Sequence, residues 1–267
     1  MKKLDLNVVS KFVESNIGQF HQKRLDKVNS IQLKEILISK NPYLFKAKNV
    51  TTANEIVEGI LSAFLSSSEE GIFGNWLERL AIYINDSVYQ GRKAGIAGID
   101  LDFDKDNIRY LVSIKSGPVW GNGDQVKKMI DQFNTARKRL ATSGANVNLV
   151  CVNGCCYGKT NERFTYKANG NYYKLCGQRF WELISGEPEL YTKLIEPLGF
   201  ETELRNAEFN DSYGSLTNRI TKEFLVDFCK ESGEIDWDKL VRFNCATVEV
   251  KVPKAKSPAK PRVKKPK

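Results

Sequence analysis

Apolar side chains in the first part of the chain recur at helical spacing. Residues 4–38 carry them three and four positions apart with an interruption at Gly18, which predicts two helices. Residues 52–66 and about 69–84 each carry another such stripe, and Thr51 or Thr52 suits the N-cap of the first. The pattern therefore predicts a largely helical region up to about residue 84.

After residue 97 the pattern changes to that of strands. The stretch "AGIDLDFDKDNIRYLVSIKSG" predicts two apolar strands joined by a polar turn. A helix at 124–141 and a strand at about 147–152 follow, and "FTYKANGNYYKLCG" predicts a hairpin with Asn169-Gly170 as its turn. Amphipathic helices are expected near 178–197, 214–231 and 236–243. This order indicates a mixed α/β fold whose helices cover a sheet, with ligands at the strand ends.

Length and composition limit the class of protein. A chain of 267 residues with 41% hydrophobic residues can form one large domain with helical additions. The N-terminal residues lack the pattern of a signal peptide, and no apolar run approaches the ~18 to 20 residues that span a bilayer. We therefore expect a cytoplasmic protein without a membrane partner.

The cysteines and the single histidine narrow the available chemistry. Six cysteines include no C-x-x-C pair, and the one histidine, His21, lies far from them in sequence. Cys151, Cys155 and Cys156 fall in or beside an apolar run, which favours reduced cysteines packed in a strand over a zinc site. One histidine also leaves little room for histidine-based nucleophilic catalysis. Carboxylates and amines remain as the reactive groups.

The positive charge is concentrated at the end of the chain. The formal net charge is +9, and residues 251–267 hold eight Lys or Arg and no acid, so the first 250 residues are near +1. This Pro-, Lys- and Ala-rich composition predicts a disordered basic tail over 246–267. The tail is either a solubilising end or a contact for nucleic acid that weakens with salt.

Charged residues lie within the strand pair at positions that alternation assigns to one face. Asp100 and Asp102 share a face of the first strand, and Ser113 and Lys115 share a face of the second. A turn centred on Asp106 would place Asp100 across from Ser113 and diagonal to Lys115, within about 7 Å at Cβ. An ordinary half-exposed hairpin shows the same alternation. The glycine-rich corner "SGPVWGNG" after Lys115 favours a functional site at this strand end.

These residues resemble those of a known nuclease superfamily. "GIDLDF", a short spacer and "YLVSIKSG" are similar to the acid, spacer, x-x-K signature of the PD-(D/E)XK nucleases. The runs "NPYLFKAKN", "FLSSSEEGIFGNWLERLAIYI", "SIKSGPVWGN" and "CYGKT" resemble type II restriction endonucleases of the PmeII-like group. The resemblance covers about residues 1–245, and the basic tail lies outside it.

The resemblance implies a fold and a domain organisation. The expected class is α/β, with a restriction-endonuclease-like core in α-β-β-β-α-β order: a mixed central sheet flanked by helices, with helical N- and C-terminal additions. The expected divisions are an N-terminal helical segment at 1–50, a nuclease core with a hairpin insertion at 51–200, C-terminal helices packed on the core at 201–245, and the tail at 246–267.

The resemblance also implies Mg²⁺-dependent, site-specific hydrolysis of double-stranded DNA. Asp100 corresponds to the metal-binding acid and Lys115 to the motif lysine, and the carbonyl of Ile114 is a natural further metal ligand. An ammonium at position 115 suits orientation of water or stabilisation of the phosphate. Ser113 occupies the position of the second acid and cannot supply a carboxylate. Glu78 of the preceding helix is the first replacement candidate, although it could also be a solvated glutamate.

Further residues are candidates for the missing metal-binding acid or for contact with DNA. Asp102 is the next acid to be considered, followed by Glu70 and Asp124. DNA contacts are predicted for the residues that open the helix after the motif, which could equally form a solvated helix face: Asn122, Gln125, Lys127 and Lys128.

The expected partners follow from the restriction-enzyme likeness. Cleavage of a palindrome favours a twofold homodimer, with a cognate DNA methyltransferase encoded nearby. A structure-specific or repair nuclease of the same fold, or a non-catalytic DNA-binding module, would also account for the residues.

Overall fold

The computed structural model describes residues 2–142, 148–159, 163–166 and 170–247. The helices before the sheet are α1 Leu6–Ser30, α2 Leu33–Ile38, α3 Pro42–Ala47 and α4 Ala53–Tyr89. The strands are β1 Leu101–Lys105, β2 Ile108–Lys115, β3 Asn148–Cys155, β4 Arg163–Tyr166 and β5 Gly170–Cys176, with α5 Gly123–Thr142 between β2 and β3. After the sheet follow α6 Gln178–Ser185, α7 Leu190–Lys193, α8 Ile195–Leu198, α9 Thr202–Phe228 and α10 Trp237–Cys245.

The strands of the described residues form one mixed sheet in the order β1-β2-β3-β5-β4. The outer pairs β1/β2 and β4/β5 are antiparallel, whereas β2/β3 and β3/β5 are parallel. Lys115, Cys155 and Cys176 are register partners at the ends of the three parallel strands. The carboxyl ends of these strands therefore meet at one edge of the sheet, where α/β folds bind ligands.

Helices cover both faces of the sheet. On one face, α1, α4 and α6 bury an apolar cluster with the sheet that includes Val13, Leu80 and Phe180. On the other face, α5 contributes Met129 and Phe133 to a smaller cluster. Gly154 lets α6 approach β3, since a Cβ at that position would lie 2.4 Å from Cε2 of Phe180. Both faces of the sheet are thus covered by helices. The ends of the strands remain as the accessible place for a ligand.

A separate apolar cluster lies away from the sheet. It unites the end of α1 and α2 with the first half of α4 and with α9 and α10, and its fully buried members include Ile60, Ile220 and Phe224. The helical additions at both ends of the chain therefore pack against each other as well as on α4. The exact segment boundaries given above remain a prediction.

The mixed α/β class with helices on both sides of a sheet is confirmed, and several element boundaries are corrected. The helix α1 continues through Gly18, and α4 runs unbroken where two helices were expected. Two strands separate α4 from α5, and the place of a third is taken by a single bridge between Arg92 and Asp102. Cys151 and Cys155 are buried in β3 as predicted.

Some predictions concern residues beyond those described. The Asn169-Gly170 turn and the basic tail lie at least partly outside the described residues, although the β4/β5 hairpin itself is present. Among the helices of the described ranges, none combines the length and apolar character needed to cross a bilayer.

Candidate functional site

The β1/β2 hairpin fixes the positions of the charged residues. Asp106 and Asn107 form its two-residue turn with φ of 52° and 60°, which matches a type I′ turn. Leu101 pairs with Val112, and the Asp100 N–H donates to the Val112 carbonyl at 2.9 Å. Asp100 is therefore level with Ser113, which is the register that the sequence pattern predicted.

Asp100 and Lys115 meet at this end of the hairpin. Asp100 Oδ2 lies 4.0 Å from Lys115 Nζ and accepts a hydrogen bond of 2.7 Å from the Ile114 N–H. The two side chains are 19% and 28% exposed, so they are partly shielded from water without being inaccessible. The predicted convergence of carboxylate and ammonium on one face is confirmed.

The surroundings of Asp100 act against its negative charge. Burial raises the pKa of its carboxyl, and the nearby Glu78 carboxylate raises that pKa further. The Ile114 N–H and the cationic Lys115 and Lys93 oppose the rise, yet the net shift in pKa is upward. A site with this balance favours an additional cation beside Asp100.

Glu78 extends from α4 toward the same site. Its Oε1 accepts a hydrogen bond of 3.1 Å from Lys93 Nζ, and its side chain is 23% exposed. The Glu78 carboxylate contributes to the raised pKa of Asp100, and Lys93, its hydrogen-bond partner, opposes that rise. Glu78 is thus within electrostatic range of Asp100, and the structure adds Lys93, which the sequence pattern did not reveal.

Asp102 lies in β1, two residues after Asp100, but its carboxylate is already bound by Arg109. Its two oxygens accept from Arg109 Nε at 2.8 Å and Arg109 Nη2 at 2.5 Å. This bidentate pair neutralises the carboxylate, which is only 10% exposed. The pair argues against Asp102 as a metal ligand and gives it a structural role in the hairpin.

Ser113 is 1% exposed, and strand alternation puts it on the same face of β2 as Lys115, level with Asp100. Within the described parts of the chain, no group of three or more His, Cys, Asp or Glu side chains is placed to hold a metal ion. The available oxygen donors are the carboxylates of Asp100 and Glu78 and the carbonyl of Ile114. Mg²⁺ is commonly held by one or two carboxylates together with water and substrate phosphate, so this donor set fits it.

The predicted DNA-contacting residues lie at the start of α5. Asn122 and Gln125 cap that helix reciprocally: Asn122 N–H donates to Gln125 Oε1 at 3.0 Å and Gln125 N–H to Asn122 Oδ1 at 3.1 Å. Lys127 and Lys128 are exposed on the first turns. The two amide side chains therefore have a local structural use, and DNA readout by these four residues stays a prediction.

The glycine-rich corner after Lys115 forms a loop across the strand ends. Trp120 Nε1 donates to Asn153 Oδ1 at 3.0 Å, and Lys174 Nζ donates to the Pro118 carbonyl at 2.7 Å. Asn153 and Lys174 are register partners of one another, and Asn153 is the partner of Ser113. A polar residue within each of the largely apolar runs, Asn153 in β3 and Lys174 in β5, was the available signal for them.

The family follows from a comparison with protein-family models. The model described as "Type II restriction endonuclease EcoO109I" matches residues 7–206, which is most of the chain. The chain belongs to this family. The EcoO109I-family match spans the whole sheet and includes Glu78, Asp100 and Lys115, whereas most of α9, all of α10 and the basic tail lie beyond it.

Membership in the EcoO109I family identifies a restriction-endonuclease relative and therefore a nuclease that acts on DNA. A comparison with curated proteins gave no match.

Proposed function

We propose that this chain is a type II restriction endonuclease that hydrolyses phosphodiesters of double-stranded DNA at a specific sequence with Mg²⁺. The observation that carries the proposal is the pairing of Asp100 with Lys115 at the carboxyl edge of the sheet, with Glu78 in electrostatic range of Asp100. Two neighbouring carboxylates whose charges repel, with an ammonium beside them, suit a hard cation and a phosphate.

The oxygen donors have distinct positions in this proposal. Asp100 and Glu78 would hold Mg²⁺, and the Ile114 peptide lies at the carboxylate because its N–H donates to Asp100. The Ile114 carbonyl points to the same side of β2 as the Ile114 N–H and is the third candidate ligand. Bound Mg²⁺ neutralises charge on the phosphate and makes coordinated water more acidic.

Lys115 has the role of a fixed positive charge. Its ammonium, beside the metal-binding carboxylate, contacts the phosphate under attack and stabilises the negative charge that develops there. Lys93 is 70% exposed, and it offsets the charge of Glu78 before substrate and metal enter. Ser113 keeps the position of the second acid without a charge, so Glu78 replaces that acid from α4.

The broader partners also belong to this proposal. The cationic start of α5, with Lys127 and Lys128, meets the DNA backbone, and Asn122 and Gln125 approach base edges after their mutual cap opens. We expect a homodimer on palindromic DNA, a cytoplasmic location and a cognate methyltransferase encoded nearby. Assignment to the PmeII-like group remains part of the same proposal.

The test is cleavage of varied, unmethylated plasmid DNA with Mg²⁺ and again with EDTA. Discrete fragments of fixed sequence that disappear with EDTA support the proposal. Lys115→Ala should abolish cleavage and keep DNA affinity, and Glu78→Gln should weaken the response to Mg²⁺. Cleavage confined to branched or damaged DNA would indicate a structure-specific nuclease, and binding without any cutting would indicate a non-catalytic module.

A further inference from the structure

The loop between β2 and α5 lies directly over the proposed catalytic lysine. Lys115 Nζ is 5.2 Å from the centroid of the Trp120 ring and 4.0 Å from Asp100 Oδ2. An ammonium within about 6 Å of an indole face is attracted by the negative face of the ring. Lys115 is thus held between a carboxylate and an aromatic ring.

The indole is itself anchored by a buried amide. Trp120 Nε1 can only donate, and it donates to Asn153 Oδ1 at 3.0 Å. Asn153 is 1% exposed, and its Nδ2 is 3.4 Å from the Ser113 carbonyl on the neighbouring strand. A buried amide is costly unless its hydrogen bonds are made, so this anchor defines one orientation of the ring.

Two further contacts fix the loop beside the indole. Lys174 Nζ donates to the Pro118 carbonyl at 2.7 Å, which ties the loop to β5. Tyr157 packs so closely on Gly117 that a Cβ there would lie 2.2 Å from Tyr157 Cζ. The loop is therefore attached to β3 and β5 and to the residues after β3.

We propose that Trp120 is a positioning residue for Lys115, and that Asn153 orients Trp120. The ring holds the ammonium on the Asp100 side of the site, and the buried amide fixes the ring. This inference rests on the proposed function for the role of Lys115 in cleavage, but the placement of Lys115 can be measured without activity.

A purely structural role for Trp120 is the competing explanation, because the ring also packs against the apolar cluster beneath α5. Trp237 provides a matched control, since it is also half-buried, also packs on an apolar cluster and has Lys46 Nζ 5.1 Å from its ring. It lies in α10, away from the proposed site. Loss of packing alone would therefore affect both tryptophan variants alike.

The experiment compares Trp120→Leu, Trp120→Phe and Trp237→Leu in the full chain. Single-turnover cleavage at saturating DNA and Mg²⁺ should fall about 10-fold in Trp120→Leu, the rate equivalent of one cation–π contact, with DNA affinity nearly unchanged. Trp120→Phe keeps a ring over the ammonium but loses the hydrogen bond to Asn153, so its rate should lie between those of Trp120→Leu and wild type. Trp237→Leu should cleave at the wild-type rate.

The second measurement is the NMR resonance of the Lys115 ε-CH₂ group, assigned by its disappearance in Lys115→Arg. The indole ring current should displace it upfield in wild type, and Trp120→Leu should abolish the displacement. An unchanged resonance in Trp120→Leu, or equal rate losses in Trp120→Leu and Trp237→Leu, would overturn the inference. If wild type cleaves no DNA but the resonance responds as described, the proposed function fails and the placement of Lys115 stands.

Discussion

Asp100 occupies a position that disfavours its own charge. It lies at the end of a buried hairpin, near a second carboxylate, and its pKa is raised chiefly by burial. A raised pKa means that the folded protein prefers the protonated form. The stability that this preference adds is fully present below the ordinary pKa of an aspartate, and it is lost as pH rises through the higher pKa of the folded state.

Asp100→Asn should therefore stabilise the metal-free protein at neutral pH. The amide oxygen can still accept from the Ile114 N–H, while the unfavourable charge is gone. The gain should shrink as pH falls below the ordinary aspartate pKa. Asp102→Asn is the contrast, because it breaks the pair with Arg109 and should cost roughly 1 to 3 kcal/mol. Thermal unfolding in EDTA across pH checks both, and an Asp100→Asn variant that is less stable at every pH would contradict the argument.

In the proposed site, Lys93 would compete with Mg²⁺ for Glu78. Its pKa is raised by the hydrogen bond to Glu78, but the ammonium is largely exposed and the pair is easily opened. Lys93→Met should lower the Mg²⁺ concentration for half-maximal cleavage by about 2- to 5-fold, the equivalent of an exposed ion pair. Lys34→Met removes a similarly exposed lysine, paired with Asp227, and should leave the Mg²⁺ response unchanged. A Mg²⁺ titration of cleavage that is identical for Lys93→Met and wild type would exclude the competition.

At the scale of elements, the turn of the β1/β2 hairpin determines how the two strands are paired, and this pairing places Asp100 beside Lys115. Its turn places two residues other than glycine at positive φ, which asparagine and aspartate tolerate better than branched residues do. Asn107→Val should lower the free energy of unfolding by about 1 to 2 kcal/mol, whereas Asn107→Gly should stay within about 0.5 kcal/mol of wild type. Urea unfolding measures both variants. Equal stabilities of the valine and glycine variants would show that the turn is not constrained in this way.

The same hairpin shows which features the sequence could predict. Strand alternation and the polar turn defined the register, so the meeting of Asp100 with Lys115 was accessible before the structure. The pairing of Lys93 with Glu78 and of Trp120 with Asn153 joins residues 15 and 33 positions apart, and no periodic pattern encodes such contacts. These pairs depend on how loops pack on the finished sheet.

The continuity of α4 was missed for a different reason. Ser66, Ser67 and Ser68 are a polar run without a buried residue, and they resemble a break between two helices. The helix continues because the apolar stripes on either side of this stretch are buried in separate clusters. Tertiary packing here outweighs the local pattern.

At the scale of the whole molecule, the cationic end of the sequence should affect affinity and not chemistry. Truncation after Thr247 removes residues 248–267 with their eight Lys or Arg. If that segment binds DNA phosphates, the slope of log affinity against log salt should become shallower by about 0.9 for each phosphate that the truncated chain no longer neutralises. The single-turnover cleavage rate at saturating DNA should not change. Binding at several salt concentrations measures the slope, and an identical slope would assign the segment a solubilising role.

The helix α4 joins the two distant apolar clusters through a single backbone. Its first half packs with α9 and α10, and its second half carries Glu78 to Asp100. Ile60 and Glu78 are about 27 Å apart along the helix axis, at 1.5 Å per residue. The helix consequently acts as a lever arm: a tilt of a few degrees at the C-terminal helices displaces the Glu78 carboxylate by more than an ångström. If Glu78 binds Mg²⁺ as proposed, packing between the remote helices would therefore change the position of this ligand without any change in the ligands themselves.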